Sequence, residues 1–154
     1  MDIQLHLTPW YEERNFALNQ VHPIKNHLHK PEGGLWTSSY NQKIGSEWLQ
    51  SDFVELKNGC RGTLLQVVGN PNILSIKTVE QAKKVASTYF LGQVLTLDCY
   101  DYEKMTEDYD GIRIYGEALN EGSPFWEFNV ESTLWFNVNH LRVLEKIDVL
   151  KYKS

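Results

Sequence analysis

The sequence predicts an α+β domain with a mostly antiparallel sheet and a few short helices. Three observations carry that expectation. Strand-like runs outnumber helical ones along the 154 residues. The helical segments do not alternate with strands in the regular βαβ order that a parallel sheet needs. No Pro-, Gly- or Ser-rich linker and no break in composition divides the chain, so residues 1–154 read as one domain.

The elements follow in order. IQLHLT, 3–8, alternates apolar and polar residues, the period of a half-buried strand. Residues 12–34 are polar, contain Pro23 and Pro31, and end in Gly33-Gly34, which reads as loop with room for one helical turn. LWTSSY, 35–40, reads as a second strand. Ser46 suits the N-cap of a short helix over SEWLQSDF. TLLQVV (63–68) reads as a strand, Gly-Asn-Pro-Asn (69–72) as a turn, and ILSI (73–76) as another strand.

Thr78 and Gln81 have capping-box spacing for a helix over 79–91. Its Val79, Ala82, Val85, Ala86 and Phe90 recur at helical intervals. VLTLDCY (94–100) has strand composition, 101–109 suits a short helix, and GIRIYG (111–116) a strand. The turn-rich EALNEGSP leads to FWEF, then to the strand STLWFNV (132–138). LRVLEKIDVLKY (141–152) closes the sequence as a long alternating strand.

Composition limits the functions open to this chain. Hydrophobic content of 42% with 23% charged residues suits a globule with a core, and five tryptophans supply large stacking surfaces. The net charge of −5 comes with no continuous stripe of Lys or Arg, which argues against a dedicated duplex-binding protein. A nucleotide ligand or a transient nucleic-acid substrate stays open. Cys60 and Cys99 form no CxxC pair and read as free thiols in a reducing compartment. The start, MDIQLHLTPW, lacks the basic and apolar regions of a signal peptide, and no apolar run approaches the roughly 20 residues of a membrane span. A soluble, cytoplasmic protein without a membrane partner is expected.

Few motifs carry chemistry. Thr106-x-Asp108-x-Asp110-Gly111 ending at Glu117 approaches the calcium-loop pattern. Thr stands where the first Asp is needed, and strand-like alternation follows where a helix should leave. His22, His27 and His29 share a polar segment but fit no zinc spacing, so no metal is expected. Nucleophile elbows, P-loops and GxGxxG fingerprints are missing from the sequence.

Glu131 lies between FWEFNV and the apolar STLWF. From position alone, such a carboxylate reads as solvated at a strand entrance. The stretch KPEGGLWTSSY, 30–40, combines a lysine, two glycines, a tryptophan and a run of hydroxyls, more than a plain turn requires.

Taken together, Tyr109-Asp110-Gly111-Ile112, then Glu131-Ser132-Thr133-Leu134-Trp135-Phe136, then Asn139-His140-Leu141-Arg142-Val143-Leu144 resemble the last third of the ADP-ribosyltransferase superfamily. LHLT and GGLWTSSY resemble its first two strands. The resemblance implies a split, mostly antiparallel sheet and an NAD-dependent transfer of ADP-ribose to a macromolecular acceptor, protein or nucleic acid. A toxin, phage factor or defence effector would fit such a domain. A catalytically silent binding module and an NAD glycohydrolase are the alternatives on the same fold.

The resemblance also assigns roles. Glu131 would be the catalytic carboxylate that offsets charge on an oxocarbenium-like ribose. His6 would hold a ribose of NAD, Lys30 the pyrophosphate, and Gly34 would let the backbone approach. Trp36 and Ser38 would face the nicotinamide, with Tyr109 beside the site. Strand alternation puts Trp36, Ser38 and Tyr40 on one face and Thr37 and Ser39 on the other, so a one-residue change of phase would exchange Ser38 for Ser39. The family's common arginine on strand one is absent. Asn129 stands where a second, acceptor-specifying acid is found, which speaks against arginine acceptors.

Overall fold

A computed structural model describes residues 2–51 and 61–149. The strands are β1 (Ile3–Thr8), β2 (Leu35–Asn41), β3 (Gly45–Ser46), β4 (Arg61–Val67), β5 (Ile73–Ile76), β6 (Phe90–Val94), β7 (Leu97–Tyr100), β8 (Gly111–Ile114), β9 (Ser132–Trp135) and β10 (Leu141–Ile147). The helices are α1 (Glu47–Gln50), α2 (Val79–Thr88) and α3 (Tyr102–Asp108). The fold is α+β, with a mixed but mostly antiparallel sheet and few helices, as the strand-rich pattern predicts.

Seven strands follow one another in the order β10-β4-β1-β2-β9-β8-β5, and β3 extends the far end of β2. Among the described residues only β5 and β8 pair in parallel; the chain between them is long enough to cross over. On one face, Leu5 and Leu64 pack with Leu49 and Val149. Beside them lies a larger cluster of Ile76, Ile112, Ile114 and Leu134, into which α2 and α3 insert Ala82, Ala86 and Met105. On the other face Leu35, Leu65, Trp135 and Leu141 are covered by Phe16, Leu18 and Val21 of the long first loop. That loop, expected over 12–34, contains one 3₁₀ turn, Leu18–Gln20, and is cross-tied by paired backbone bonds between Lys25 and Glu32.

The centre of the sheet has an unusual junction. β2 pairs with β9 over Leu35, Trp36 and Thr37, but with β1 over Ser38 and Ser39. The strand therefore changes partner halfway. The ladder to β9 stops at Thr37↔Thr133, just before the strand reaches Glu131.

The segment 89–100 departs from expectation. α2 ends at Thr88, whose hydroxyl turns back to the Lys84 carbonyl, and Tyr89 leaves helical geometry. Phe90, expected in the helix, begins β6 and is half exposed. The expected strand 94–100 is broken at its start, because Leu95 and Thr96 form the tip of the β6–β7 hairpin with φ of 50° and 69°. A two-residue tip of this hand demands positive φ at both positions, which Asn-Gly supplies and Leu-Thr does not. Leu95 is 87% exposed, so no packing compensates at the tip.

Elsewhere the boundaries move by a few residues. Ser46 caps α1 by accepting from the Leu49 N–H, as its position implied, while residues 52–53 of the expected helix lie outside the described residues. β10 carries a bulge between Val143 and Glu145, and the expected continuation over 150–152 also lies outside them. Cys99 is a buried free thiol; Cys60 is not among the described residues. No helix among the described residues is long and apolar enough to cross a membrane.

The hairpin tip yields a stability prediction. Replacing Leu95→Asn together with Thr96→Gly removes two strained left-handed residues, each worth about 1–3 kcal/mol. The double variant should therefore raise the urea midpoint without altering the slope.

Candidate functional site

Glu131 is 6% exposed, contrary to the solvated reading of a carboxylate at a strand entrance. Register explains where it goes. Leu35 faces Trp135 and Thr37 faces Thr133, so two residues on, Ser39 comes level with Glu131. Its N–H donates to the carboxylate instead of to a strand carbonyl, at 3.1 Å to Glu131 Oε2. The Ser38 hydroxyl donates to the same oxygen at 3.1 Å, and the Ser39 hydroxyl to Oε1 at 2.9 Å.

The alternation of β2 sends Ser38 inward, fully buried, and Ser39 outward. Both still reach the carboxylate, because it lies in the plane of the strand rather than on either face. A carboxylate offers about four lone-pair sites. Three donors leave one open, on Oε1.

Ser39 is itself held. The Trp135 indole N–H donates to Thr37 Oγ1 at 2.9 Å, and Thr37 donates to Gln4 Oε1 at 2.7 Å. Gln4 Nε2 donates to Ser39 Oγ at 3.3 Å and to Asp2 at 2.8 Å. The chain of donors runs in one direction and ends on Glu131. Gln4 and Thr37 are fully buried, although alternation in the sequence marks Gln4 as a solvent-facing position.

The segment before Glu131 is tightly bent. Asn129 has φ 63° and ψ −56°, and the Val130 N–H bonds to the Phe128 carbonyl across it at 2.7 Å, a γ-turn with positive φ at its centre. Asn129 is exposed. From the other side, α1 reaches the same segment. Glu47 Oε2 accepts the Glu131 N–H at 3.1 Å, and the Trp48 indole donates to Ser132 Oγ at 2.9 Å. No sequence signal marks Glu47, whose place follows only from the turn after β2.

Further along β2 and in the loop before it lie Trp36, Gly34 and Lys30. Trp36 packs edge-on against Phe128 with ring centroids 4.9 Å apart, and the Lys30 ammonium lies 5.3 Å from its ring centre. Burial pushes the Lys30 amine below its ordinary value, while the Glu127 carboxylate draws it back up. Burial likewise raises the Glu127 carboxyl, against the pull of His29 and Lys30. Lys30 is thus engaged with an indole and an acid.

Gly34 adopts φ 70° and donates to the His22 carbonyl at 2.8 Å; a Cβ there would stand 2.7 Å from the Trp135 carbonyl. Gly34 and Trp36 line an open cleft of about 670 Å³ with His6, Arg14, Phe16 and Val21. That volume is within the range of small-molecule sites.

No family model, curated protein or solved structure matches the chain. The chemistry of the site therefore rests on its own geometry.

That geometry brings Glu131 and Ser38 together, with Trp36 further along the same strand and Gly34 and Lys30 in the loop that leads into it. It does not bring all the expected residues to one wall. His6 shares a face with Gln4 and Ser39, opposite the Trp36 ring, since Gln4 pairs with Ser39 and Leu5 with Ser38. Its Nδ1 lies 2.9 Å from the Trp36 carbonyl and its ring packs on Phe16 at 4.5 Å.

Tyr109 lies at the far end of the site strands. Gly111 pairs with Trp135 and Ile114 with Ser132, so Tyr109 precedes one end of β8 while Glu131 lies beside the other. There Tyr109 packs against the core, and its neighbour Asp110 binds Asn137 and the Asn72 N–H, which hold its carboxyl below the ordinary value.

Two predictions follow from this packing. Burial lowers the His6 imidazole from its ordinary 6.5, the Trp36 carbonyl bond opposing it. The unfolded chain then binds a proton that the folded chain refuses, so this residue costs stability as pH falls below about 6.5. A His6→Gln variant should lack that component, seen as a shallower fall of the unfolding free energy between pH 7 and 5. Gln4→Leu strands the Thr37 hydroxyl and removes the donor to Ser39; it should cost about 1–3 kcal/mol in chemical denaturation.

Proposed function

We propose that the chain cleaves NAD at its nicotinamide–ribose bond and transfers ADP-ribose to a macromolecular acceptor, with Glu131 as the catalytic carboxylate. One observation carries the reading: a nearly buried glutamate whose carboxylate is fixed by Ser38 Oγ, Ser39 N and Ser39 Oγ, with one acceptor position left open. A ribose hydroxyl would donate to that position. As nicotinamide leaves, positive charge grows on the sugar, and a fixed negative group beside it lowers the barrier without reorganising.

The rest of β2 supports the same reading. The cleft at His6, Gly34 and Trp36 borders β2, the strand whose serines hold Glu131; the carboxylate is not among its lining residues, so a dinucleotide would have to run on along β2 from the cleft to reach it. Lys30 needs to leave its present partners to meet a pyrophosphate. The indole of Trp36 presents a face to that cation now, so nicotinamide, itself cationic before cleavage, would stack there only after Lys30 moves. Tyr109 has no part in this arrangement.

The test is to incubate the protein with labelled NAD, alone and with separate pools of protein, RNA and DNA. Wild type should release nicotinamide and label one pool. Glu131→Gln should fall about 10²–10³-fold. Free ADP-ribose without labelled macromolecule would point to a glycohydrolase. If wild type and variant are equally inert and NAD does not raise the melting temperature, the enzymatic reading is wrong and the buried glutamate is a structural tie.

A further inference from the structure

We propose that Glu47 is the base that takes the acceptor's proton during transfer, and that the acceptor is consequently a proton-bearing nucleophile, an alcohol or an N–H group, rather than a carboxylate. The inference rests on the transferase reading of Glu131.

Glu131 has little acceptor capacity to spare. Three of its lone-pair sites are taken by Ser38 and Ser39, and the ribose hydroxyl takes the fourth. Nothing remains on that carboxylate to receive a proton from the attacking group. Asn129, exposed just before it, carries an amide and cannot serve as a base at neutral pH.

Glu47 is the other carboxylate at this point of the fold. Its Oε2 accepts the Glu131 N–H at 3.1 Å, so one hydrogen bond ties it to the backbone of the catalytic residue. The residue is exposed, and among the described residues its Oε1 has no hydrogen-bond partner. The Ser46 cap and the bond from the Trp48 indole to Ser132 hold α1 in place. Glu47 thus presents a solvent-facing oxygen on an anchored helix, one hydrogen bond from the backbone of the catalytic residue.

In the step itself, the C1′–N bond breaks and its electron pair leaves on nicotinamide, which departs neutral. A lone pair of the acceptor forms the new bond to C1′. The acceptor's proton passes to Glu47 Oε1. Two neighbouring carboxylates disfavour an acceptor that is itself a carboxylate, by like-charge repulsion.

The role can be tested before any macromolecular acceptor is known, using three small nucleophiles. Water and methanol each carry a proton to be removed; azide carries none. Wild type and Glu47→Gln are incubated with NAD in buffer, in buffer with methanol, and in buffer with sodium azide, and the three ADP-ribosyl products are quantified. Gln keeps an oxygen for the Glu131 N–H, so support of the segment is retained.

The expected result is a loss of about 10²-fold in the water and methanol products, the low end for general-base catalysis. The azide product should hold or rise, because a negative charge facing the anion is gone. Glu47→Asp, which keeps the carboxylate, should retain more methanol product than Glu47→Gln. Equal losses in all three products, or none, would overturn the proposal and leave Glu47 as a tie between α1 and β9. A wild type that cleaves no NAD in any mixture would instead overturn the transferase reading.

Discussion

The site depends on one substitution within a β-ladder: a side-chain carboxylate accepts the strand N–H that a backbone carbonyl would otherwise take. The half-buried Ser39 N–H needs an acceptor, because a backbone donor shut off from water without a partner costs about as much as a lost hydrogen bond. Where β2 exchanges β9 for β1, the ladder supplies none. Glu131 fills the vacancy with Oε2. The same bond that completes the sheet therefore fixes the carboxylate, so its orientation is as rigid as the strand it ties. Such fixed dipoles and charges are what transition-state stabilisation requires.

This also settles why the hydroxyl run at 37–39 looked ambiguous from sequence. Period-two alternation assigns each hydroxyl to one face or the other, and the choice between Ser38 and Ser39 hinges on strand phase. A carboxylate lying in the strand plane is reachable from both faces, and both serines bond to it. The strands β1 and β8 were legible because apolar and polar residues alternate along them. The β6–β7 hairpin was not, because Phe90 continues the helical spacing of α2 and the tip residues Leu95-Thr96 lack turn chemistry. Glu47 and Gln4 were invisible for another reason. Their places come from the turn after β2 and from the pairing of β1 with β2, which no local pattern encodes.

The buried polar residues behind Ser39 illustrate when such a network is tolerated. Gln4 and Thr37 sit among apolar neighbours, where an unmet donor or acceptor is expensive. Each hydroxyl and indole proton in the sequence Trp135, Thr37, Gln4, Ser39, Glu131 has an acceptor, and each donation points toward the carboxylate. A fully satisfied chain of this kind rigidifies its members, and polarisation along it strengthens each bond. An apolar residue at position 4 would fit the core but would free Ser39 to rotate away from Glu131.

The strain at Asn129 belongs to the same constraint. Phe128 is held in the core against Trp36 and Phe125, while Glu131 and Ser132 are pinned by Glu47 and Trp48 of α1. Only Asn129 and Val130 connect these two anchors. A γ-turn is the tightest way to reverse the chain in that span, and its positive φ costs about 1–3 kcal/mol. With φ 63° and ψ −56°, Asn129 lies outside the left-handed helical region that Asn favours, in the rare and strained γ conformation. With both ends anchored and the turn at its geometric limit, the backbone of Glu131 has little freedom to follow a substrate. On the proposed function, a ligand reaching this carboxylate would have to bring a donor into register with the remaining position on Oε1, because the sheet junction holds the carboxylate still.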